Sequence, residues 1–168
     1  MMNLKKHIPG ELNRWAGNVL LAGAMVVLAA LACGFKPISV TVEDNLALNG
    51  YDTVAYFSEG MGVMGSRIYS VEWDGVVWRF SSKTNMRLFQ ENPEKYAPQF
   101  GGYCAVALTF NKVVSCDPKS FLIVDGKLYV LRDQEVLKIW EKNPREYIGK
   151  AEKYWSHLIK GFRATEKK

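Results

Sequence analysis

The sequence predicts an α+β fold: a small antiparallel sheet built from hairpins, with helices packed on it and an apolar helix at the N-terminus. Two Asp-Gly pairs, Asp74-Gly75 and Asp125-Gly126, each separate runs of alternating apolar residues, a pattern typical of a type I′ hairpin. From Pro144 onward, apolar residues recur at helical spacing, as in a helix that docks on a sheet. Because strand and helix patterns are segregated rather than alternating, an α+β class is favoured.

Residues 1–35 are interpreted as a signal peptide or membrane anchor. Residues 16–35 contain no charged side chain, and Lys5, Lys6 and Arg14 precede them. A helix of about 20 apolar residues approaches the thickness of a membrane, and positive charge before it keeps the N-terminus in the cytoplasm. We therefore expect a protein of the bacterial cell envelope, membrane-anchored or periplasmic, whose folded part lies outside the cytoplasm.

The processing of this segment stays open between three alternatives. Ala30 to Ala32 fits an A-x-A cleavage pattern, which would release the chain. Leu31 to Gly34 resembles the end of a bacterial lipobox, and this makes Cys33 the candidate for lipidation. The third alternative is an uncleaved membrane anchor.

Residues 36–163 are predicted to form a single compact domain, followed by a solvated tail at residues 164–168. No repeat or linker stands out between Ile38 and Gly161. Alternating patterns predict a first strand and two hairpins, at residues 38–42, 69–73 with 76–80, and 121–124 with 128–131.

Three helical segments follow the hairpins. Ser81 and Ser82 can cap a helix through Glu91, and Pro93 begins a further turn. Residues 135–140 predict a short helix. The helix from Pro144 carries an apolar stripe, which consists of Tyr147, Ile148, Ala151, Tyr154, Trp155, Leu158 and Ile159.

Charge and motifs exclude several classes of function. The net charge is +5, and the basic residues are interspersed with acidic ones, without the dense basic stripe that nucleic-acid binding favours. The sequence contains no P-loop, G-x-S-x-G elbow or H-E-x-x-H motif. We therefore expect no nucleic-acid partner, and the absent motifs favour a protein that is not an enzyme.

Four motifs in chain order resemble exported, membrane-associated bacterial members of the YHS domain family. The resemblance covers most of residues 49–155 and implies a small antiparallel sheet with packed helices, related to metal-binding zinc-finger-like modules. The motifs are Gly50 to Phe57, Trp78 to Ser82, Asn92 to Pro98 and Gly101 to Ala105.

The chain departs from this family at the positions that would bind metal. Where the resemblance would place cysteines, the chain has Ala55, Ser81 and Met86, and the Tyr-His-Ser triplet reads Tyr69 to Val71. A metal ion implied by the family would therefore need other ligands.

Two cysteines, Cys104 and Cys116, lie in the predicted domain. In an oxidising compartment they are a candidate disulfide. The alternatives are a metal site formed with His157, a reactive thiol at Cys104 beside two glycines, and two inert buried thiols.

A polar and aromatic cluster is the candidate ligand-binding site. Tyr51, Asp52 and Tyr56, together with Tyr103 and Cys104, would line a pocket for a metal ion or small ligand. The structural alternative is that Asp52 caps a turn and the tyrosines anchor the core.

The sequence therefore favours a non-enzymatic, membrane-associated binding module of the YHS type, for a metal ion or a small ligand. One alternative is a thiol/disulfide redox protein that uses Cys104 and Cys116. The other is a structural or protein-interaction domain.

Overall fold

The computed structural model describes Ile38, Val40–Thr41 and residues 45–165. The predicted signal or membrane segment, Cys33 included, lies outside the described residues. Among the helices that are described, none is both long and apolar enough to cross a membrane. The class is α+β, as predicted.

The first sheet has four strands, which are β1 Val40–Thr41, β2 Leu46–Ala47, β3 Ser66–Trp73 and β4 Val76–Phe80. The predicted hairpin is present, and its Asp74 and Gly75 have φ angles of 53° and 75°, as a type I′ turn requires. β2 pairs with β4 in parallel through Leu46 and Val77, while the other two pairings in this sheet are antiparallel. Across the sheet, the strands lie in the order β1-β2-β4-β3.

The second hairpin forms a separate sheet of two antiparallel strands, β5 Asp117–Val124 and β6 Lys127–Leu131. Its turn residues Asp125 and Gly126 have φ angles of 50° and 73°. The described residues therefore contain two small sheets rather than one.

The helices begin and end close to where the sequence predicts. Ser82 caps the second helix by accepting a hydrogen bond from the Asn85 N–H at 3.1 Å. The last helix continues to Thr165 and so enters the predicted tail. The helices are α1 Ala55–Ser58, α2 Lys83–Glu91, α3 Pro93–Tyr96, α4 Ala105–Thr109, α5 Gln134–Trp140 and α6 Pro144–Thr165, with 3₁₀ turns at Leu48–Gly50 and Gln99–Gly102.

The second hairpin repeats the first after a shift of 51 residues (117 minus 66). The ladders share one register and the same irregularity near the start of the first strand, so the two halves of the fold have equivalent positions. In the ladders, Ser66↔Phe80 and Ser70↔Arg79 correspond to Asp117↔Leu131 and Phe121↔Val130.

The helices and the preceding loops repeat as well. Ser82 and Asp133 each cap a helix, and an Asn-Pro pair begins the next helix in both halves. Before the hairpins, the N–H of Asp52 donates to Val63 at 2.8 Å, and the N–H of Cys104 donates to Val114 at 2.9 Å. Asp52 and Cys104 therefore occupy equivalent positions.

The expectation that the chain contains no repeat is therefore wrong. The first half (residues 45–98) and the second half (residues 99–165) share turn and cap positions, while their core residues differ. Trp78 and Phe89 of the first core correspond to Tyr129 and Trp140 of the second. Different large apolar side chains can fill equivalent core positions. The repeat is therefore much clearer in the backbone structure than in the amino-acid sequence.

A third cluster joins the two halves. Leu48 and Tyr56 of the first half pack against Leu128 and Val130 of the second, and all four are buried. This third cluster contains buried residues of both halves and holds them together as one compact unit.

We predict that Gly65→Ala destabilises the fold by about 1–3 kcal/mol, because a methyl group there must displace neighbouring backbone. A Cβ at Gly65 would lie 2.5 Å from the carbonyl carbon of Arg79. Urea denaturation measures the change. Gly149→Ala is the matched control, since nothing outside its own stretch of helix would lie within 4 Å of its Cβ. Equal stability of the two variants would contradict the packing argument.

Candidate functional site

Asp52 is a fully buried carboxylate, with 0% of its surface exposed. Its Oδ1 accepts hydrogen bonds from the N–H groups of Val54 at 2.9 Å and Ala55 at 3.2 Å. These bonds cap the turn that leads into α1. The structure thus supports the capping interpretation of this residue.

The second oxygen of Asp52 connects this turn to the start of α2. Oδ2 accepts from the Ser81 N–H at 2.8 Å, the Ser81 hydroxyl at 2.7 Å and the Asn85 amide at 2.7 Å. Five donors therefore surround one carboxylate, and such a group is tolerated in a protein interior because each oxygen is hydrogen-bonded. Little acceptor capacity remains for a metal or ligand.

Tyr56 and Tyr51 anchor the core beside this turn. The Tyr56 hydroxyl is buried and donates to the carbonyl of Pro118 at 2.8 Å, and burial raises the pKa of Tyr56 well above its ordinary value. Its ring lies 4.6 Å from that of Phe121. Tyr51 packs against the same cluster, so both tyrosines act as structural contacts between the halves.

Tyr103 and Cys104 lie in a different part of the interior. The Tyr103 ring is 6.2 Å from the ring of Trp155. Cys104 is only 1% exposed and belongs to the second core cluster. None of the five predicted ligand-binding residues lines the cavity described below.

Both domain cysteines are free thiols in this structure. Burial raises the pKa of the Cys116 thiol to about 12, and the nearby Cys104 contributes in the same direction. The two thiols are therefore close enough to interact electrostatically, but the disulfide between them stays a prediction. Cys104 is almost fully buried, and the raised pKa of Cys116 opposes formation of the reactive thiolate.

The predicted metal site is not formed. Within the described part of the chain, no group of three or more His, Cys, Asp or Glu residues could hold a metal ion, and His157 is exposed on α6. Among the positions where the resemblance would place cysteines, Ser81 hydrogen-bonds Asp52, Ala55 is buried and Met86 packs on the first core. These side chains do not fit a thiolate metal site.

A cavity of about 300 Å³ lies where the two halves meet. Trp73 and Trp78 of the first hairpin line one side, and Phe100 and Trp155 of the second half line another. Its volume falls at the lower end of the range for small-molecule sites, and its aromatic lining is typical of them.

Two carboxylates also line this cavity. Asp74 lies in the turn between β3 and β4, and Glu94 lies in the first turn of α3. Trp78 is held in place because its Nε1–H donates to the carbonyl of Trp73 at 3.0 Å. The site therefore combines a rigid aromatic wall with two acidic side chains.

Sequence reasoning missed this cavity. The residues that line it come from a hairpin, a short helix, a 3₁₀ turn and a distant helix. No rule of residue spacing in the sequence relates these elements to one another. Trp155 was predicted only as part of an apolar helical stripe. A signal was available in the tandem Asp-Gly and Asn-Pro pairs, which would have revealed the repeat and therefore an interface between its halves.

Comparisons with known proteins support the predicted resemblance. A family model described as YHS domain matches residues 54–100, so a YHS domain is present in this part of the chain. The match lies in the first half of the repeat, except for its last two residues, which belong to the second half. Searches of curated proteins and of solved structures found no match.

We predict that Asp52→Asn lowers the free energy of unfolding by about 2–4 kcal/mol, because an amide nitrogen would face donors that now bind a charged oxygen. Chemical denaturation checks this value. Asp125→Asn is the control, because Asp125 is exposed and forms only a surface ion pair with Arg145, worth about 0–1 kcal/mol. An equal loss in both variants would contradict the structural role of Asp52.

We predict slow alkylation of Cys116 in the folded protein, with a rate that keeps rising with pH up to about 12. A raised thiol pKa leaves less thiolate at neutral pH, and thiolate is the reactive species. Mass spectrometry of peptides after iodoacetamide treatment separates Cys116 from Cys33 and Cys104. In urea, the same thiol should react at the ordinary rate. A plateau near pH 9 in the folded protein would show that the thiol is not buried.

Proposed function

We propose that this protein, with its YHS domain at residues 54–100, is a non-enzymatic module that binds a small ligand in the cavity between its halves. The observation that carries this proposal is the cavity of about 300 Å³ with aromatic walls from both halves. Binding there would use a preformed site, which lowers the entropic cost of association.

A metal ion is the less favoured ligand. The buried carboxylate of Asp52 is already surrounded by five donors, and the residues that the structure describes contain no group of metal ligands. Soft metals prefer thiolates, but Cys104 is buried and Cys116 is half-buried. The cavity therefore supports an organic ligand better than an ion.

Thiol chemistry is also less favoured. A redox thiol needs a thiolate and access to a partner. Cys104 is 1% exposed, and burial raises the pKa of Cys116 to about 12. Both properties oppose nucleophilic attack at neutral pH.

The proposal includes membrane association in the bacterial envelope. Its support is the uncharged stretch at residues 16–35 with positive residues before it, which would place the folded part outside the cytoplasm. Recovery of the unprocessed full-length chain in the cytosol of an exporting host would contradict this part of the proposal.

We predict that a screen of metabolites against the full-length protein finds a ligand that raises the melting temperature, and that Ala97→Trp abolishes the effect. Ala97 lines the cavity, so an indole there would fill it. Binding stabilises the folded state by mass action, and a shift in melting temperature measures this directly.

Gln90→Trp is the control for this experiment. It adds the same indole to an exposed position on α2 that does not line the cavity. It should keep the response to ligand. Equal binding by Ala97→Trp and the parent protein, or no ligand in a broad screen, would overturn the proposal.

A further inference from the structure

The last helix carries its apolar stripe further than the core that covers it. Ala151 is buried in the second core, and Tyr154 and Trp155 pack against that core. Leu158 and Ile159, one helical turn later, are half-buried. Among the described residues, these two belong to none of the three core clusters. The helix α6 therefore presents apolar side chains outside the domain core.

The end of α6 is open on the side of Gly161. In the part of the chain that the structure describes, a Cβ added to this glycine would meet no atom within 4 Å outside its own stretch of helix. The helix continues to Thr165, so about 9 Å of it extend past Ile159, at about 1.5 Å per residue. An apolar stripe at the open end of a helix favours a partner that shields it from water.

The start of the folded part identifies this partner. Ile38 and Trp155 line the same cavity, so the N-terminal end of the domain lies close to α6. Phe35, the last residue of the uncharged stretch, is three residues before Ile38. Three residues span at most about 11 Å, whatever their conformation. Under the proposed function, residues 16–35 lie in a membrane, and the apolar end of α6 is then held within reach of the membrane surface.

The residue types of α6 also fit a membrane surface. Tryptophan favours the boundary between lipid and water, because its ring is apolar and carries one polar N–H group. Trp155 supplies such a ring, while Leu158 and Ile159 supply side chains that can enter the lipid. Lys153 and Lys160 are exposed, and helical spacing places them on the face opposite the apolar stripe. A helix with one apolar and one basic face binds in the plane of the membrane interface.

We infer that the end of α6 is a second membrane contact, in which Trp155, Leu158 and Ile159 lie among the lipid headgroups. The occupant of this surface is the lipid bilayer in which residues 16–35 are anchored. This inference rests on the membrane part of the proposed function and adds an orientation of the domain to it. The contact places the cavity beside the headgroups, because Trp155 and Ile38 line the cavity.

Photo-crosslinking from the lipid tests this contact. The full-length protein is reconstituted in phosphatidylcholine nanodiscs that contain a lipid with a diazirine near its headgroup, and the sample is irradiated. Trypsin, which cuts after lysine and arginine, releases Tyr154–Lys160 from α6 and Ile139–Lys142 as separate peptides. A second digest with chymotrypsin covers the uncharged stretch. Mass spectrometry then counts the lipid adducts on each peptide.

The peptide Tyr154–Lys160 should carry at least about 5-fold more adducts than Ile139–Lys142, because only the first would lie in the interface. The second peptide is a suitable control, since 49% of the Ile139 surface is exposed. It precedes α6 and lies more than about 20 Å from Leu158 along the helix. Equal labelling of the two peptides overturns the inference, because the domain would then meet lipid without a preferred face.

A paired substitution tests the apolar side chains. Leu158→Gln with Ile159→Gln keeps helix-forming residues but removes their affinity for lipid, so labelling of this peptide should fall at least about 3-fold. Ile68→Gln with Ile139→Gln is the matched control, because both isoleucines are exposed elsewhere in the domain. It should leave the labelling unchanged. Equal labelling of the parent protein and the α6 variant overturns the inference, and melting temperatures confirm that both variants are folded.

Adducts on the uncharged stretch separate this inference from the proposed function. Adducts at residues 16–35 without adducts at Tyr154–Lys160 would support the anchor and overturn the contact of α6. If neither segment is labelled, the membrane part of the proposed function fails together with the inference. A dimer in native mass spectrometry whose Tyr154–Lys160 segment is unlabelled would assign the stripe to a second copy of the chain, and this also overturns the inference.

Discussion

The buried carboxylate of Asp52 is the constraint on which the first half of the structure depends. A charge without solvent is tolerated only when donors surround it, so the turn before α1, the end of β4 and the start of α2 must converge on one point. That convergence sets the position of α2 relative to the hairpin and thereby the position of α3, which follows directly. This arrangement shapes the cavity, because two of the residues that line it are Trp78 on β4 and Glu94 on α3.

The second half repeats this architecture without the charge at its centre. Cys104 takes the place of Asp52, and the ladder shift places Arg132 and Val136 where the first half has Ser81 and Asn85. With no carboxylate to satisfy, this half is held by apolar contacts of Trp140 and by the long helix α6, which packs on α4. Two solutions to the same backbone, one polar and one apolar, therefore lie side by side.

Part of the candidate site could be predicted and part could not. The five candidates from the sequence were chosen because polar and aromatic residues cluster along the chain, and the structure uses Asp52 and Tyr56 as internal hydrogen-bonding groups instead. Burial decides between these roles, and burial depends on contacts between residues far apart in sequence. Trp73 and Trp155 are an example, because they are far apart in the sequence and yet line the same cavity. Among the residues that the structure describes, no group of three or more His, Cys, Asp or Glu side chains could hold a metal ion, and His157 is exposed.

By itself, the sequence determined the local elements of this protein. The Asp-Gly pairs favour the left-handed backbone conformation of a tight turn, which joins the flanking strands into hairpins. Ser82 and Asp133 supply helix caps, and the apolar stripe after Pro144 defines a docking helix. Each of these rules acts within a few residues. The family motifs likewise lie in short segments, and they identified the YHS domain at residues 54–100. Only the tertiary structure decided that Asp52 is an internal anchor and that a cavity with aromatic and acidic walls lies between the two related halves. These features depend on packing between distant segments, and no local pattern encodes which faces will meet.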